Sequence, residues 1–252
     1  MSGFDATHLC YLAVTISFWI LSTWAVMKMP RAWQNVMFVL AALGCSGLIF
    51  FISAMGLTWE GAINWKGVSI QMLQVCQFNM ILTPLMLVPK FELARQYSAM
   101  FSMFAASTTL ISTPSDWVSC AWNAPRMMSS WMFHVLAITL PMWMIAARRL
   151  KPRREYAVKV VLCVIAYFTV SFVVTYVLKV RGVLSANAGF SFVFDPGGVD
   201  LLEFLYRLIP IPYVYLYPLV PFMYAFFRLL AWAFRNYRVE PFAQAKTKKS
   251  KS

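Results

Sequence analysis

Residues 157–178, AVKVVLCVIAYFTVSFVVTYVL, carry Lys159 as their single charge and no proline or glycine. As an α-helix this stretch extends about 33 Å, enough to cross a hydrocarbon core of about 30 Å. Working outward from it, apolar stretches of similar length occur at about 7–27, 35–57, 70–89, 94–114, 129–147 and 212–233. The chain has 252 residues, 61% hydrophobic and only 12% charged, whereas soluble domains are about one quarter charged. The fold class this implies is all-α: a polytopic transmembrane helical bundle of seven spans. The short alternating segments of a transmembrane β-barrel are absent. No internal repeat and no room for a second domain are visible. The reading is one transmembrane domain over 1–238, followed by a basic disordered cytoplasmic tail at 239–252 that ends KTKKSKS.

A net charge of +13 would suit a nucleic-acid binder, but its placement follows topology instead. All of the 22 Lys and Arg except Lys66, Arg126, Lys179, Arg181 and Arg207 fall in the loops after spans one, three and five or at the adjoining span starts, near the end of span seven, or in the tail. Cytoplasmic loops collect Lys and Arg, so the N terminus is expected outside and the C terminus inside. Trp59, Trp65, Trp117 and Trp122 then lie in or beside the outer loops, where aromatic belts form. The start, MSGFDATHLC, lacks a positive n-region and a small-residue cleavage site, and is expected to be a retained first helix. Further on, Asp200, Glu203 and Arg207 recur opposite Leu201, Leu202, Leu205 and Leu208. This pattern predicts a short amphipathic helix that lies on the interface or caps the bundle.

One span departs from the apolar pattern. Residues 71–79, QMLQVCQFN, place three glutamines, a cysteine and an asparagine where hydrocarbon would surround them. An unpartnered polar group there costs a few kcal/mol, so this arc must face protein or a water-filled cavity. Helical spacing puts Cys76, Asn79 and Thr83 on one face, flanked by Gln74 and Gln77. Cys76 lies about six residues from the outer end of its span, roughly 9 Å deep. His134 enters its own span from the same side to a similar depth, and His8 opens span one there. Asp116 and Asn187 fall in outer loops.

A Cys and a His at one depth are the parts of a nucleophile–base pair, in which imidazole takes the thiol proton and the thiolate attacks a carbonyl. Gln77, Asn79 or backbone N–H groups would then receive the oxyanion. Equally, a Cys in a membrane helix serves as a small packing residue. A His there bonds a neighbouring helix, and Gln and Asn hold helices together at about 0.6–2 kcal/mol each. Cys45 and Cys163 read as packing residues. The five cysteines (10, 45, 76, 120 and 163) and two histidines show no metal-ligand spacing.

The ordered set THLCYLAV (7–14), LQVCQFN (73–79), STPSD (112–116), SSWMFHVLAI (129–138), NAGFSFVFDP (187–196) and IPIPYVYLYP (209–218) resembles the YwaF-like family of bacterial integral membrane proteins. That family is related to the transmembrane protein 164 acyltransferase family. The resemblance covers nearly the whole chain. It implies Cys76 and His134 as the catalytic pair, with His8, Asp116 and Asn187 at other recurring positions. Where the family has Leu-Pro-Leu-His before its cysteine, this chain has Met72-Leu73-Gln74-Val75.

The expectation is a multi-pass integral membrane protein of a bacterial plasma membrane. It would act as a phospholipid acyltransferase or acyl hydrolase through Cys76 and His134, with His8, Gln74, Gln77, Asn79, Asp116 and Asn187 around the substrate. The alternative is a non-enzymatic carrier or sensor for a lipid or small molecule, with the same polar cluster as its cavity. Membrane lipids are the expected partners, and no nucleic acid, cofactor or metal is. The oligomeric state is left open.

Overall fold

The computed structural model describes residues 6–55, 72–112, 125–185 and 189–239. Described elements are helices α1 (Ala6–Lys28), α2 (Arg31–Met55), α3 (Val75–Leu85), α4 (Glu92–Tyr97), α5 (Met103–Ile111), α6 (Pro125–Ala146), α7 (Ala157–Val180), α8 (Asp200–Leu208) and α9 (Leu219–Ala233). A π-helical turn, Ser98–Ser102, joins α4 to α5, and short 3₁₀ turns at Arg154–Tyr156 and Val214–Leu216 lead into α7 and α9. No β-strand occurs among the described residues.

Five segments are long and apolar enough to cross a membrane: Ala6–Lys28, Arg31–Phe50, Met127–Ala146, Arg154–Val180 and Val214–Ala233. The other two apolar stretches fold differently from a plain span. Helix α3 has 11 residues, about 16 Å, or half a hydrocarbon core. The run from Glu92 to Ile111 is continuous but is interrupted by the π turn, all five residues of which are buried. A π turn adds a residue to the helical ladder and re-aims the side chains around it. The four outer-loop tryptophans, Gln71, Asp116, Cys120, Asn187 and nearly all of the basic tail lie outside the described residues.

Helix α6 is the centre of the bundle, with two-thirds of its apolar window buried. Helix α2 lies along it through Phe38, Ala41, Ala42, Cys45 and Ile49, all buried and spaced for one helical face. Small residues let the two backbones approach. A Cβ on Gly44 would meet Leu136 Cδ1 at 3.4 Å. Outward, α1 presents Val14, Ile20, Leu21 and Trp24, each at least 60% exposed. An apolar surface this extensive suits lipid, not water. Tryptophans of α6 staple α1 in place: Trp131 Nε1 donates to Thr15 Oγ1 at 2.9 Å and Trp143 Nε1 to Ser22 Oγ at 3.1 Å. Helix α8 forms as its sequence predicts. Leu202 and Leu205 pack on Tyr215, whereas Leu201, Phe204 and Leu208 are exposed, so it covers the bundle with one edge and offers a second apolar edge outward.

The basic side of the bundle is held by polar bonds made to backbone. Gln34 Nε2 donates to Val26 O at 3.0 Å and Met29 O at 3.2 Å, satisfying the last carbonyls of α1 where Pro30 ends the helix. Glu92 accepts from Arg95 Nη1 at 3.1 Å and Gln96 Nε2 at 2.8 Å, with Arg153 Nε 3.6 Å away. Arg95 in turn donates to Arg149 O at 2.5 Å, and Gln96 exchanges bonds with Lys151 O and Arg153 N–H. This network ties the 147–153 loop to α4.

Glu92→Gln removes the only carboxylate in that set and leaves the buried Arg95 guanidinium without it. The expected loss is about 1–3 kcal/mol of stability, read as a lower thermal midpoint of the purified protein in detergent. An unchanged midpoint would show that the network contributes nothing.

Candidate functional site

Helix α3 starts late, and the chain ahead of it is irregular. Gln74 is extended at the helix N-cap (φ −80°, ψ 124°) and makes no cap bond with its own side chain. The open groups of residues 72–75 are met from elsewhere. Tyr167 OH donates to Met72 O at 2.6 Å, and Ser171 Oγ donates to Leu73 O at 3.0 Å. Ser191 Oγ donates to Leu73 O at 2.5 Å and accepts from Val75 N–H at 2.7 Å. Ser191 N–H donates to Gln74 Oε1 at 2.7 Å. Ser191 therefore supplies the helix cap in trans, from a loop 116 residues downstream.

That loop is shaped for the task. Ser191 and Phe192 both adopt the left-handed region (φ 52° and 59°), uncommon for residues with a Cβ and held only where surroundings over-determine it. Tyr215 OH donates to Phe192 O. At Gly197 (φ 64°) a Cβ would come within 2.9 Å of the Phe192 ring, so a side chain there would displace the Phe192 ring.

Cys76 is the second residue of α3. Val75 N–H is capped by Ser191, while Gln77 and Phe78 N–H donate to Gln74 O. Among the described residues no acceptor is bonded to Cys76 N–H. The thiol borders a cavity of about 200 Å³ between α5, α7, α8 and α9. Its walls are mainly apolar: Val75, Phe101, Phe104, Ala105, Val164, Phe168, Leu202, Leu219 and Met223 among others. Thr108 and Thr109 also face it, but both hydroxyls donate back to Ala105 O (2.7 and 3.0 Å), a local bond that satisfies them within the helix.

The rest of the polar face of α3 is used for packing. Asn79 Oδ1 accepts from Ser102 Oγ at 2.9 Å, and Thr83 Oγ1 lies 4.0 Å from Cys45 Sγ. Cys45 also reaches Phe133 O at 3.7 Å. Cys76 packs on two apolar clusters, one with Tyr97, Phe101 and Met223, the other with Cys45, Trp131 and Phe133. It therefore sits on the boundary between the cavity and the α2–α6 core.

Both histidines belong to the other side of that boundary. His134 is buried on α6 and its Nδ1 lies 2.7 Å from Ser130 O. A carbonyl only accepts, so Nδ1 holds the proton and, in the neutral ring, Nε2 holds the lone pair. His8 is fully buried, with Nε2 2.8 Å from Leu110 O and its ring edge-on to Trp131 at 5.9 Å. The Cys76 thiol makes no hydrogen bond to His134 among the described residues. Of the described candidate site residues, Cys76 alone lines the cavity. Gln74 braces the loop behind it, Asn79 bonds the π turn, Gln77 is half-buried beside them, and Asp116 and Asn187 lie outside the described residues. Sequence reasoning missed Ser191, Tyr167 and Ser171. Only a polar residue in an aromatic-rich loop, FSFVF, hinted at the first.

A family model, described as the TMEM164 family, matches residues 3–234. The chain belongs to the TMEM164 family. The match runs from the start of α1 past the end of α9, and so takes in Cys76, both histidines and the Ser191 loop. No curated protein and no solved structure gives a significant match. As a TMEM164 family member with five membrane-length apolar helices, it is a membrane protein.

Ser191→Ala deletes one donor and one acceptor at the start of α3. The expected cost is about 1–3 kcal/mol, together with faster alkylation of Cys76 in the folded protein, followed by site-resolved mass spectrometry. If stability and alkylation both stay as in the parent, Ser191 is not what holds this helix end.

Proposed function

We propose that this protein is a lipid acyltransferase or acyl hydrolase with Cys76 as nucleophile and His134 as its base. The observation that carries the reading is the position of Cys76, in the first turn of α3 at the wall of an apolar cavity, with no acceptor bonded to its N–H among the described residues. Helix N-termini leave backbone donors unsatisfied and favour negative charge, which suits both a thiolate and an oxyanion. In the proposed sequence His134 Nε2 takes the thiol proton, directly or through one water, and Sγ bonds to the ester carbonyl carbon. Cys76 N–H donates to the developing oxyanion. The C–O bond to the lipid alcohol breaks, and the alcohol oxygen leaves with the proton held on His134. Attack on the thioester by water or a second lipid hydroxyl, with His134 again as base, releases the acyl group and restores the thiol. In apo structures catalytic hydrogen bonds are often long or poorly aligned and tighten on substrate binding.

The proposal includes the finer topology. The stretches at about 70–89 and 94–114 act as the third and fourth of seven passes, with the N terminus outside and Cys76 and His134 in the outer half. The YwaF-like bacterial branch and a bacterial plasma membrane are part of the same reading. A second reading is a non-enzymatic lipid carrier or sensor. What favours it is that among the described residues no hydrogen bond joins the Cys76 thiol to His134 and that the cavity has few polar groups.

Cys76→Ala and Cys76→Ser are expected to abolish acyl transfer from phospholipid vesicles while leaving the thermal midpoint near that of the parent. His134→Gln is expected to slow the reaction of Cys76 with a lipid-like thiol probe. Equal labelling with and without His134 would remove the pairing, and undiminished lipid binding with no transfer in any form would favour the carrier. Single cysteines placed at Trp122 and in the tail are expected to label from opposite sides of the membrane. Labelling from one side would overturn the topology.

A further inference from the structure

The cavity has a register that the helices fix. Asn79 Oδ1 accepts from Ser102 Oγ, so the second turn of α3 is level with the end of the π turn. Helix α3 and the α4–α5 run are consecutive and antiparallel. Three residues back along α3 is Cys76 and three residues on is Ala105, each displaced by about 4.5 Å in the same direction. Ala105, the smallest side chain of the α5 wall, therefore lines the cavity at the level of Cys76, with Phe101 and Phe104 before it and Thr108 after it along the helix.

The two ends of the cavity differ. Toward the basic side of the bundle it stops on Phe101, Val164 and Met223, which are buried and backed by Tyr97, Val160 and Phe227 in one packed cluster. Toward the opposite side it ends beside Leu201 and Tyr217, about half exposed. Between these ends the hydrogen-bonding groups are mostly committed. Thr108 and Thr109 bond Ala105 O, Ser191 Oγ bonds Leu73 and Val75, and Tyr213 OH bonds Thr169 Oγ1 at 2.6 Å. A polar ligand would find few partners there. At about 200 Å³ the space is below the roughly 300–1,000 Å³ of pockets that enclose drug-sized molecules, so it holds one chain and not a whole two-tailed lipid.

We infer that the cavity is a socket for a single hydrocarbon chain of a membrane lipid, with Ala105 setting its width in front of Cys76 and Met223 its depth. The inference deepens the reading of Cys76 as an acyl-transfer nucleophile, and the experiment keeps the two separable. Met223 is unbranched and flexible, a side chain suited to closing a pocket without fixing a rigid shape. Met223→Ala opens the floor toward Phe227, and Met223→Phe raises it. Ala105→Phe fills the centre.

The test is site-resolved alkylation of Cys76 by N-ethylmaleimide on the purified full chain in maltoside micelles, with octanoate, dodecanoate or hexadecanoate as competitor. Protection is expected to grow with chain length and then level off. Met223→Ala is expected to move the levelling-off to longer chains and Met223→Phe to shorter ones. In Ala105→Phe the alkylation is expected to stop responding to any of the acids. If Ala105→Phe does not fold, the Met223 pair still decides. Equal protection by all three acids, or a levelling-off that neither Met223 variant moves, overturns the socket. Length-dependent protection that follows Met223 without any acyl transfer keeps the socket and removes the enzyme. Transfer without length-dependent protection does the reverse.

Discussion

Backbone inside a membrane protein must find its hydrogen bonds within the protein, because hydrocarbon supplies none. The segment 72–75 is where this requirement weighs most. Residues 72–74 precede the helix, yet Met72 O, Leu73 O and the first helical N–H, that of Val75, are bonded by Tyr167 and Ser171 of α7 and by Ser191 of a distant loop. Without those partners α3 would have to begin earlier or fray later, and Cys76 would lose its place in a first turn. The left-handed turn at Ser191–Phe192, the Tyr215 bond to Phe192 and the tight fit at Gly197 all keep the capping hydroxyl in position. This local strain, of order 1–3 kcal/mol per residue, is offset by bonds that end at the helix carrying Cys76.

That anchoring divides the bundle. One side of α3 meets α2 and α6, where Thr83 lies against Cys45 and Cys45 reaches Phe133 O. The other side meets the apolar cavity of α5, α7, α8 and α9. Cys76 is on the line between them. The two histidines lie on the α6 side, each with one ring nitrogen committed to a backbone carbonyl. Under the proposed function, the ester at the end of a lipid chain comes to Cys76 from the cavity side and His134 from the α6 side.

Much of this was legible in the residues. The all-helical membrane class follows from the apolar runs, and α8 follows from the period of its leucines. The inward-facing polar arc of α3 follows from the cost of leaving Gln74, Asn79 and Thr83 in lipid. Other features were hidden for identifiable reasons. Hydropathy measures apolar length, not helix length, so it marked 70–89 as one span where the helix itself begins at Val75. A π turn leaves no mark in SAMFS. Gln34, Arg95 and Gln96 make bonds to backbone across sequence gaps that no periodicity reports. Ser191 acts 116 residues away from the helix it caps. The cavity is a property of three-dimensional packing, invisible in the one-dimensional pattern of Phe101, Phe104 and Met223, which reads as ordinary core.

The claim at the centre is that Cys76 becomes covalently acylated by a membrane lipid. The most direct measurement is the mass of the peptide containing Cys76, taken from the full-length protein quenched in acid during incubation with phospholipid vesicles. The account predicts an added acyl mass on Cys76 that hydroxylamine removes. An unmodified Cys76 during measurable acyl transfer, or an acyl mass carried by a serine or threonine, would contradict it.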